Sequence, residues 1–366
     1  PRQQPLAMEG SPSPSTDDQD AGDNAADPGS SSRQADQADS RGKARGRRGS
    51  LVSFASYPSD LSTWSSSLGN LFPLEPSQAV KQSREKLADL YVIRSELGAG
   101  EFGTVCALQS ASSSSERFAL KTVPRERIPD SDAFQRQLEI AFRARHPNIV
   151  RLHQVFQDEG SVHLVMEICS GGNLHERIAT RCSMISHGLP MKTVPPYIWQ
   201  MLSSIAYLHH YRIAHCDVKA SHFLLLDDKS GTLKLTDFGS ACVFRRSGHL
   251  RGRCGTPGFF APEVALRDQY TCKCDVWGVG VVSFMLVTGR YPLAAESWEA
   301  YEGQLMAGEQ NVFKEKDWRH CDVEAQRLVR EMLRWSPEER PAARKLLKGN
   351  HWLRTHGKPQ SCCSLM

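Results

Sequence analysis

The segment Gly98-Ala99-Gly100-Glu101-Phe102-Gly103-Thr104-Val105 limits the fold more than any other stretch of this chain. Three glycines spaced GxGxxG let a backbone reverse and leave its N–H groups uncovered by side chains, which suits a phosphate. Such turns also open dinucleotide-binding folds, where a strand leads through the turn into a helix. Here both flanks are strand-like, Tyr91–Glu96 before the turn and Thr104–Leu108 after it. A third strand-like run, Arg117–Val123, follows the serine-rich turn Ser112–Ser115, a hairpin signal. The glycine turn therefore belongs to an antiparallel sheet. Within the third run, Phe118-Ala119-Leu120-Lys121 is a buried-strand pattern that ends in a lysine.

Helical periodicity takes over downstream, in Ala133–Arg143, Pro195–His209, Asp275–Thr288 and Val323–Leu333. Strands early and helices late predict an α+β architecture, with a small sheet-rich lobe joined to a larger helical lobe near Met166–Gly171. The cleft at that join is the expected ligand site. A chain of 366 residues exceeds the ~250–300 that one core serves, and the excess lies at the front. Residues 9–40 are acidic and rich in Ser, Pro, Gly, Asp and Gln, and the basic block Arg41–Arg48 follows. Neither can bury enough apolar area to offset the entropy of ordering, so residues 1–74 are expected to be disordered. Scattered Phe54, Tyr57, Trp64 and Phe72 suit docking onto a folded surface. Arg47-Arg48-Gly49-Ser50 marks Ser50 as a candidate phosphorylation target, against an unmodified solvated tail. Residues 75–89 read as a linker with a helix capped by Ser77, 90–354 as the folded unit and 355–366 as a tail.

Three more motifs stand further along: His215-Cys216-Asp217-Val218-Lys219, Asp237-Phe238-Gly239 and Ala261-Pro262-Glu263. Each string is short. All five together, in this order, make the chain resemble the eukaryotic protein kinase family from Asp89 to Trp352, with His146-Pro147-Asn148-Ile149-Val150, Asp275-Val276-Trp277 and Arg340 in agreement. Leu164-Val165-Met166-Glu167 and Ser170-Gly171-Gly172-Asn173-Leu174 look most like the calcium/calmodulin-dependent and plant-type calcium-dependent kinases. No D-x-D-x-D-G calcium loop follows the domain. Lys219, two residues after Asp217, and Gly255-Thr256-Pro257 are similar to the Ser/Thr type.

The resemblance implies a two-lobed kinase fold that transfers the γ-phosphoryl group of ATP to Ser/Thr hydroxyls of protein substrates, with Mg²⁺ as cofactor. Positioning and charge neutralisation dominate such a transfer. By resemblance, Leu97, Gly98, Gly100, Phe102 and Gly103 would close over the nucleotide, and Lys121 would hold the α/β-phosphates. Val105, Ala119 and Leu224 would sandwich the adenine, with Met166 behind it and Glu167–Cys169 as the hinge. Asp237 would ligate the metal, Asp217 would take the hydroxyl proton, and Lys219 would meet the γ-phosphate. Thr256 would hydrogen-bond near Asp217 and Lys219. Glu263 with Arg340 would form a buried ion pair, and Asp275 would anchor the catalytic loop.

Departures from the pattern qualify this. His222 stands where the second metal ligand, an asparagine, is expected. Mg²⁺ prefers oxygen and imidazole replaces it poorly, whereas Mn²⁺ tolerates nitrogen better. Cys216 replaces the arginine that pairs with a phosphorylated activation loop, and Gly252 stands at the phosphorylated position, so both halves of that switch are missing. The αC glutamate position falls on Gln137 when counted without a gap, which also places Ile140, Ala141 and Ala144 on one face; with a two-residue gap it falls on Glu139. Asn173, Ser221 and Met285 occupy positions where basic-directed kinases carry acids, so strong selection for arginine is not expected. A pseudokinase, the same fold used as a nucleotide-binding scaffold or regulator, is the rival reading.

The remaining signals are weaker. A balance of +4 is too small to argue for nucleic acid, and Arg41–Arg48 has no aromatic platform beside it. The longest apolar stretch, around Val279–Val287, is shorter than the ~20 residues a membrane span needs. The chain opens at Pro1, so Met8 is the start or the sequence is a piece of a longer one, and no secretory signal is expected. Eleven cysteines, mostly set singly, read as free thiols in a reducing compartment, which places the protein in the cytoplasm. The end, Cys362-Cys363-Ser364-Leu365-Met366, fits a C-a-a-X prenylation signal apart from Ser364. Lipid on Cys363, with palmitate on Cys362, would give reversible membrane attachment; the alternative is a frayed tail.

Overall fold

An antiparallel five-stranded sheet carries the glycine turn and presents the lysine strand toward the helical part of the chain. The computed structural model describes residues 86–100, 103–128, 130–184, 188–244, 248–252, 254–267, 269–293, 297–308 and 321–358. Chain contacts divide the protein into Pro1–Ser53 and Phe54–Met366, and every described residue lies in the second unit. The acidic and basic tail, the Ser77–Leu87 helix up to residue 85, Phe102 and Cys362–Cys363 fall outside the described residues.

A short helix α1 (Leu87–Leu90) leads into β1 (Tyr91–Gly100), β2 (Gly103–Ser110), β3 (Arg117–Pro124), β4 (Leu152–Gln157) and β5 (Ser161–Glu167). Their order in the sheet is β1-β2-β3-β5-β4. β1 runs past the expected Glu96 to the turn itself, and absorbs the extra length in irregular pairing around Glu96. At Gly103, φ is +138°, and an added Cβ would lie 1.9 Å from the Thr122 carbonyl oxygen, so only glycine lets β2 start there.

Side chains alternate across a strand, so directly paired residues share a face. Val105 pairs with Lys121. Lys121 pairs with Leu164, Ala119 with Met166 and Val123 with Val162, which puts all of them on one face. Helix α2 (Ser131–Arg143) packs on that face through Leu138, against buried Val123, Val162 and Leu164. The opposite face buries Leu108, Leu120, Phe156 and Val165 beneath Leu87 and Leu90. Asp130 caps α2, its carboxylate accepting from the N–H groups of Asp132 and Ala133 at 2.9 Å each.

The second lobe is built on α3 (Leu174–Met184), α4 (Val194–His210), α5 (Pro262–Leu266), α6 (Lys273–Thr288), α7 (Trp298–Met306), α8 (Val323–Met332), α9 (Ala343–Gly349) and α10 (His351–His356). Helix α6 is buried on every side from Cys274 onward, with Val276, Trp277, Val279, Val281, Val282 and Phe284 in the core. Short pairs of strands, β6 (Ile213–Ala214) with β9 (Cys242–Val243) and β7 (Phe223–Leu225) with β8 (Leu233–Leu235), hold the chemistry-bearing loops on this core. The remaining pair is β10 (Leu250–Arg251) with β11 (Gln269–Tyr270). Gly278 of α6 lets the loop at Val218 approach closely, since an added Cβ would meet Val218 Cβ at 2.7 Å. Among the described residues no helix is long and apolar enough to cross a membrane.

Candidate active site

Lys121, Gln137, Asp217, Lys219, Asp237 and Thr256 line one cavity of about 340 Å³ between the sheet and the helical lobe. They arrive from five places: Lys121 from β3, Gln137 from α2, Asp217 and Lys219 together from the loop after β6, Asp237 from the segment after β8, and Thr256 from the segment before α5. Lys219 Nζ lies 3.1 Å from Asp217 Oδ2 and donates to Thr256 Oγ1 at 2.6 Å. The Thr256 hydroxyl in turn donates to Asp217 Oδ1 at 2.8 Å. The carboxylate of Asp217 is thereby held by two neighbours while remaining at the cavity wall.

Asp237 has φ +65°, a left-handed backbone that costs on the order of 1 kcal/mol for a residue with a side chain. Its Oδ1 accepts from the Gly239 N–H at 3.1 Å. Burial works against the charged form, but the Lys121 ammonium and other neighbours outweigh it and hold the Asp237 carboxyl below the usual range. Lys121 and Asp237 thus share one field across the cavity.

His222 is buried, and its Nδ1 sits 2.9 Å from the Asp217 carbonyl oxygen. A carbonyl only accepts, so Nδ1 carries the proton. Burial pulls the imidazole down to about 4, so it is neutral at pH 7 and Nε2 keeps a lone pair. That lone pair faces Asp237 Oδ2 at 3.4 Å.

Helix α2 sends its two candidate side chains to different surroundings. Gln137 lines the cavity, and its Nε2 would lie 3.9 Å from a Cβ added to Gly239. Glu139 turns inward to Arg143 at 2.9 Å, and burial raises its carboxyl despite that cation. Ile140 and Ala144 are fully buried.

The residues expected around adenine are spread over this sheet face and the hinge. Val105, Ala119 and Met166 share the face of Lys121, whereas Leu97 is 46% exposed on β1. Leu224 sits on β7 and bridges to Asn173. The Glu167 carboxylate meets Lys234 Nζ at 2.6 Å and accepts from the Arg151 N–H. Burial pushes the Cys169 thiol up to about 12, which makes it an inert protonated group. Gly98 and Gly100 lie in β1, and the 340 Å³ cavity reaches none of these adenine-side residues.

Asp275 of α6 is buried beneath the loop that carries Asp217. Its Oδ1 accepts from the Cys216 N–H, and its Oδ2 from the His215 N–H and His209 Nε2, each at 2.8 Å. His209 and Lys234 were not apparent from the sequence, because their partners lie 66 and 67 residues away with no local pattern. Burial lowers the affinity of His209 for a proton, but the hydrogen bond and charge of Asp275 outweigh it and raise the imidazole to about 9. With an unfolded value near ~6.5, this pair contributes stability that is full below ~6.5 and lost as pH rises through about 9. Urea unfolding from pH 6.5 to 9.5 is therefore expected to show a fall on the order of 1–3 kcal/mol, reduced in His209→Gln. Equal pH slopes in the two proteins would remove His209 as the source.

Glu263 of α5 and Arg340 form a fully buried bidentate pair, at 2.6 and 3.0 Å. Arg340 also donates to the carbonyls of Lys273 and Arg334 and lies over the Trp277 ring.

Residues 91–353 match the family described as protein kinase domain. The chain is 30% identical over 310 residues to calcium-dependent protein kinase 2 of Oryza sativa subsp. japonica, covering 83% of this chain and 58% of that protein. It is 34% identical over 266 residues to calcium/calmodulin-dependent protein kinase type II of Caenorhabditis elegans, covering 72% and 36%. To calcium-dependent protein kinase 11 of Arabidopsis thaliana it is 32% identical over 281 residues, covering 75% and 55%. The chain spans about half the length of these relatives.

Proposed function

The chain belongs to the protein kinase family, and on that premise we propose that its cleft transfers the γ-phosphoryl group of ATP to serine or threonine hydroxyls of protein substrates. The observation that carries this reading is the convergence of Lys121, Asp217, Lys219, Asp237 and Thr256 on one cavity. Two ammonium groups supply positive charge for phosphate oxygens, and a carboxylate stands ready for a hydroxyl proton. Lys121 binds the nucleotide phosphates and Lys219 the transferring group. Asp217 orients the hydroxyl and accepts its proton at the carboxylate, while Thr256 keeps Lys219 and Asp217 together. Relatives named as calcium-dependent and calcium/calmodulin-dependent kinases support the Ser/Thr class. Membrane attachment through a lipid on Cys363 or Cys362 belongs to the same set of proposals.

The donor set fits a divalent cation. Asp237 offers carboxylate oxygen, and the His222 lone pair facing it at 3.4 Å is unfavourable unless a cation is shared between them. Asp237 and His222 would hold that ion, which neutralises phosphate charge when bound. One imidazole in place of oxygen favours Mn²⁺ over Mg²⁺.

A second reading, a nucleotide-binding scaffold with weak catalysis, is favoured by His222 and by the neutral Gln137, which lines the same cavity as Lys121. The full chain, incubated with γ-labelled ATP and a generic substrate in Mg²⁺ or Mn²⁺, separates the two. The parent is expected to transfer phosphate faster in Mn²⁺, and His222→Asn to raise the Mg²⁺ rate by ~10-fold or more. No transfer in either metal, with nucleotide still bound, would leave the scaffold reading.

A further inference from the structure

Four thiols from four segments meet behind the catalytic loop. Cys216 follows β6, Cys242 opens β9, Cys254 precedes Gly255-Thr256, and Cys274 lies in the first turn of α6. The β6–β9 pairing sets Ala214 opposite Cys242 and Ile213 opposite Val243. Two residues beyond Ala214, the Cys216 sulfur comes to 3.4 Å from the Cys242 sulfur. The Cys274 sulfur lies within 4.8 Å of the Cys216 sulfur, and Cys254 lines one small cavity with both. Cys216 is buried, while Cys242 is partly open to solvent.

We propose that Cys216 and Cys242 are a site of reversible covalent modification, an intramolecular disulfide formed by a hydroperoxide. A disulfide needs its sulfurs ~2.0 Å apart, so closing the 3.4 Å gap takes a shift of roughly 1.4 Å. The other two thiols are less suited as partners. Cys254 is engaged by the Tyr270 hydroxyl at 2.9 Å, and Cys274 is buried in the rigid helix α6.

The chemistry balances with the peroxide as oxidant. The more accessible Cys242 thiolate attacks one peroxide oxygen, the O–O bond breaks, and the sulfur becomes a sulfenic acid as hydroxide leaves and takes up the thiol proton as water. Cys216 sulfur then attacks the sulfenic sulfur, the S–O bond breaks, the S–S bond forms, and a second water leaves with the Cys216 proton. Two thiols are oxidised by two electrons and one hydroperoxide is reduced.

The bond would tie the residue before Asp217 to the strand that follows Asp237-Phe238-Gly239. Closing the loop from 216 to 242 also restricts the unfolded chain, so the bond stabilises the arrangement already present.

The test treats the purified full chain with excess hydrogen peroxide, alkylates the remaining thiols, digests without reduction and maps peptides by mass. Peptides containing Cys216 and Cys242 are expected to be joined, lighter by two hydrogens, and separated again by dithiothreitol. Peroxide is expected to raise Tm by roughly 5–10 °C in the parent and to leave Cys242→Ser unmoved. Alkylation of both Cys216 and Cys242 after peroxide overturns the proposal, as does a bond mapped to another pair. The thiols of Cys216, Cys254 and Cys274 also border a cavity of about 20 Å³. One equivalent of zinc retained through purification and released only by thiol reagents would mean that a metal occupies the cluster, which likewise overturns it.

Discussion

Asp217→Asn is expected to lower phosphoryl transfer by ~10²–10⁴-fold while leaving the fold and nucleotide affinity close to those of the parent. The expectation follows from what the amide can and cannot copy. Its oxygen can still accept the Thr256 hydroxyl, which donates to Asp217 Oδ1 at 2.8 Å. The NH₂ group, however, turns a donor toward Lys219 Nζ, which now lies 3.1 Å from Oδ2. An amide also cannot take a proton from an attacking hydroxyl at neutral pH. Two losses coincide, the acceptor for the substrate proton and the anion that positions Lys219. The second is separable, because Thr256→Val removes the bridge at 2.6 Å and keeps the carboxylate. A much smaller loss is expected there. Single-turnover transfer from labelled ATP, with nucleotide binding measured in parallel, checks both. Transfer by Asp217→Asn within tenfold of the parent would falsify the assignment of the proton to this carboxylate.

Much of this site was legible because its signals are local. The glycine turn, the lysine on β3 and the loop around Asp217 each occupy a few adjacent residues whose spacing has a steric or electrostatic reason. The strands Tyr91–Glu96, Thr104–Leu108 and Arg117–Val123 were legible by period, although β1 continues to Gly100, because the glycines pair with β2 right up to the turn. Helix α2 shows where local information ends. Successive residues turn by ~100°, so Gln137 and Glu139 cannot face the same way. Their alternative registers differ only by a gap in the loop that follows. The surroundings of each, Gln137 on the cavity and Glu139 against Arg143, are facts of packing. The thiol cluster was not legible at all. Its members are set singly in sequence, and only the β6–β9 pairing and the position of α6 bring Cys242 and Cys274 to Cys216. The Glu167–Lys234 and His209–Asp275 contacts are long-range in the same way.

The other large effect expected is on stability. Glu263→Ala should destabilise the fold by ~3–5 kcal/mol, because Arg340 then keeps a charge in the core without its partner. Arg340 has no exposed surface, and its guanidinium pairs with both carboxylate oxygens. Three carbonyls also accept from it, those of Lys273, Arg334 and Trp335. These bonds discriminate between two accounts of the pair. If the charges merely cancelled each other, replacing both by apolar residues of similar volume would restore most of the lost stability. The carbonyls forbid that, because the double replacement would orphan them at about 1–3 kcal/mol for each that stays buried. Glu263→Met with Arg340→Met is therefore expected to recover little of the loss, and Arg340→Lys to fail as well, since an ammonium cannot span both oxygens and the carbonyls. Urea unfolding of the three variants beside the parent measures this directly. A loss below ~1 kcal/mol in Glu263→Ala would show that water reaches Arg340 after truncation. Through the Lys273 carbonyl the pair also joins α5, at the end of the segment carrying Thr256, to the start of α6, where Asp275 holds the loop carrying Asp217. Nucleotide-independent loss of transfer at temperatures below the unfolding midpoint of Glu263→Ala is the expected sign that this join, beyond global stability, keeps Thr256 within reach of Asp217.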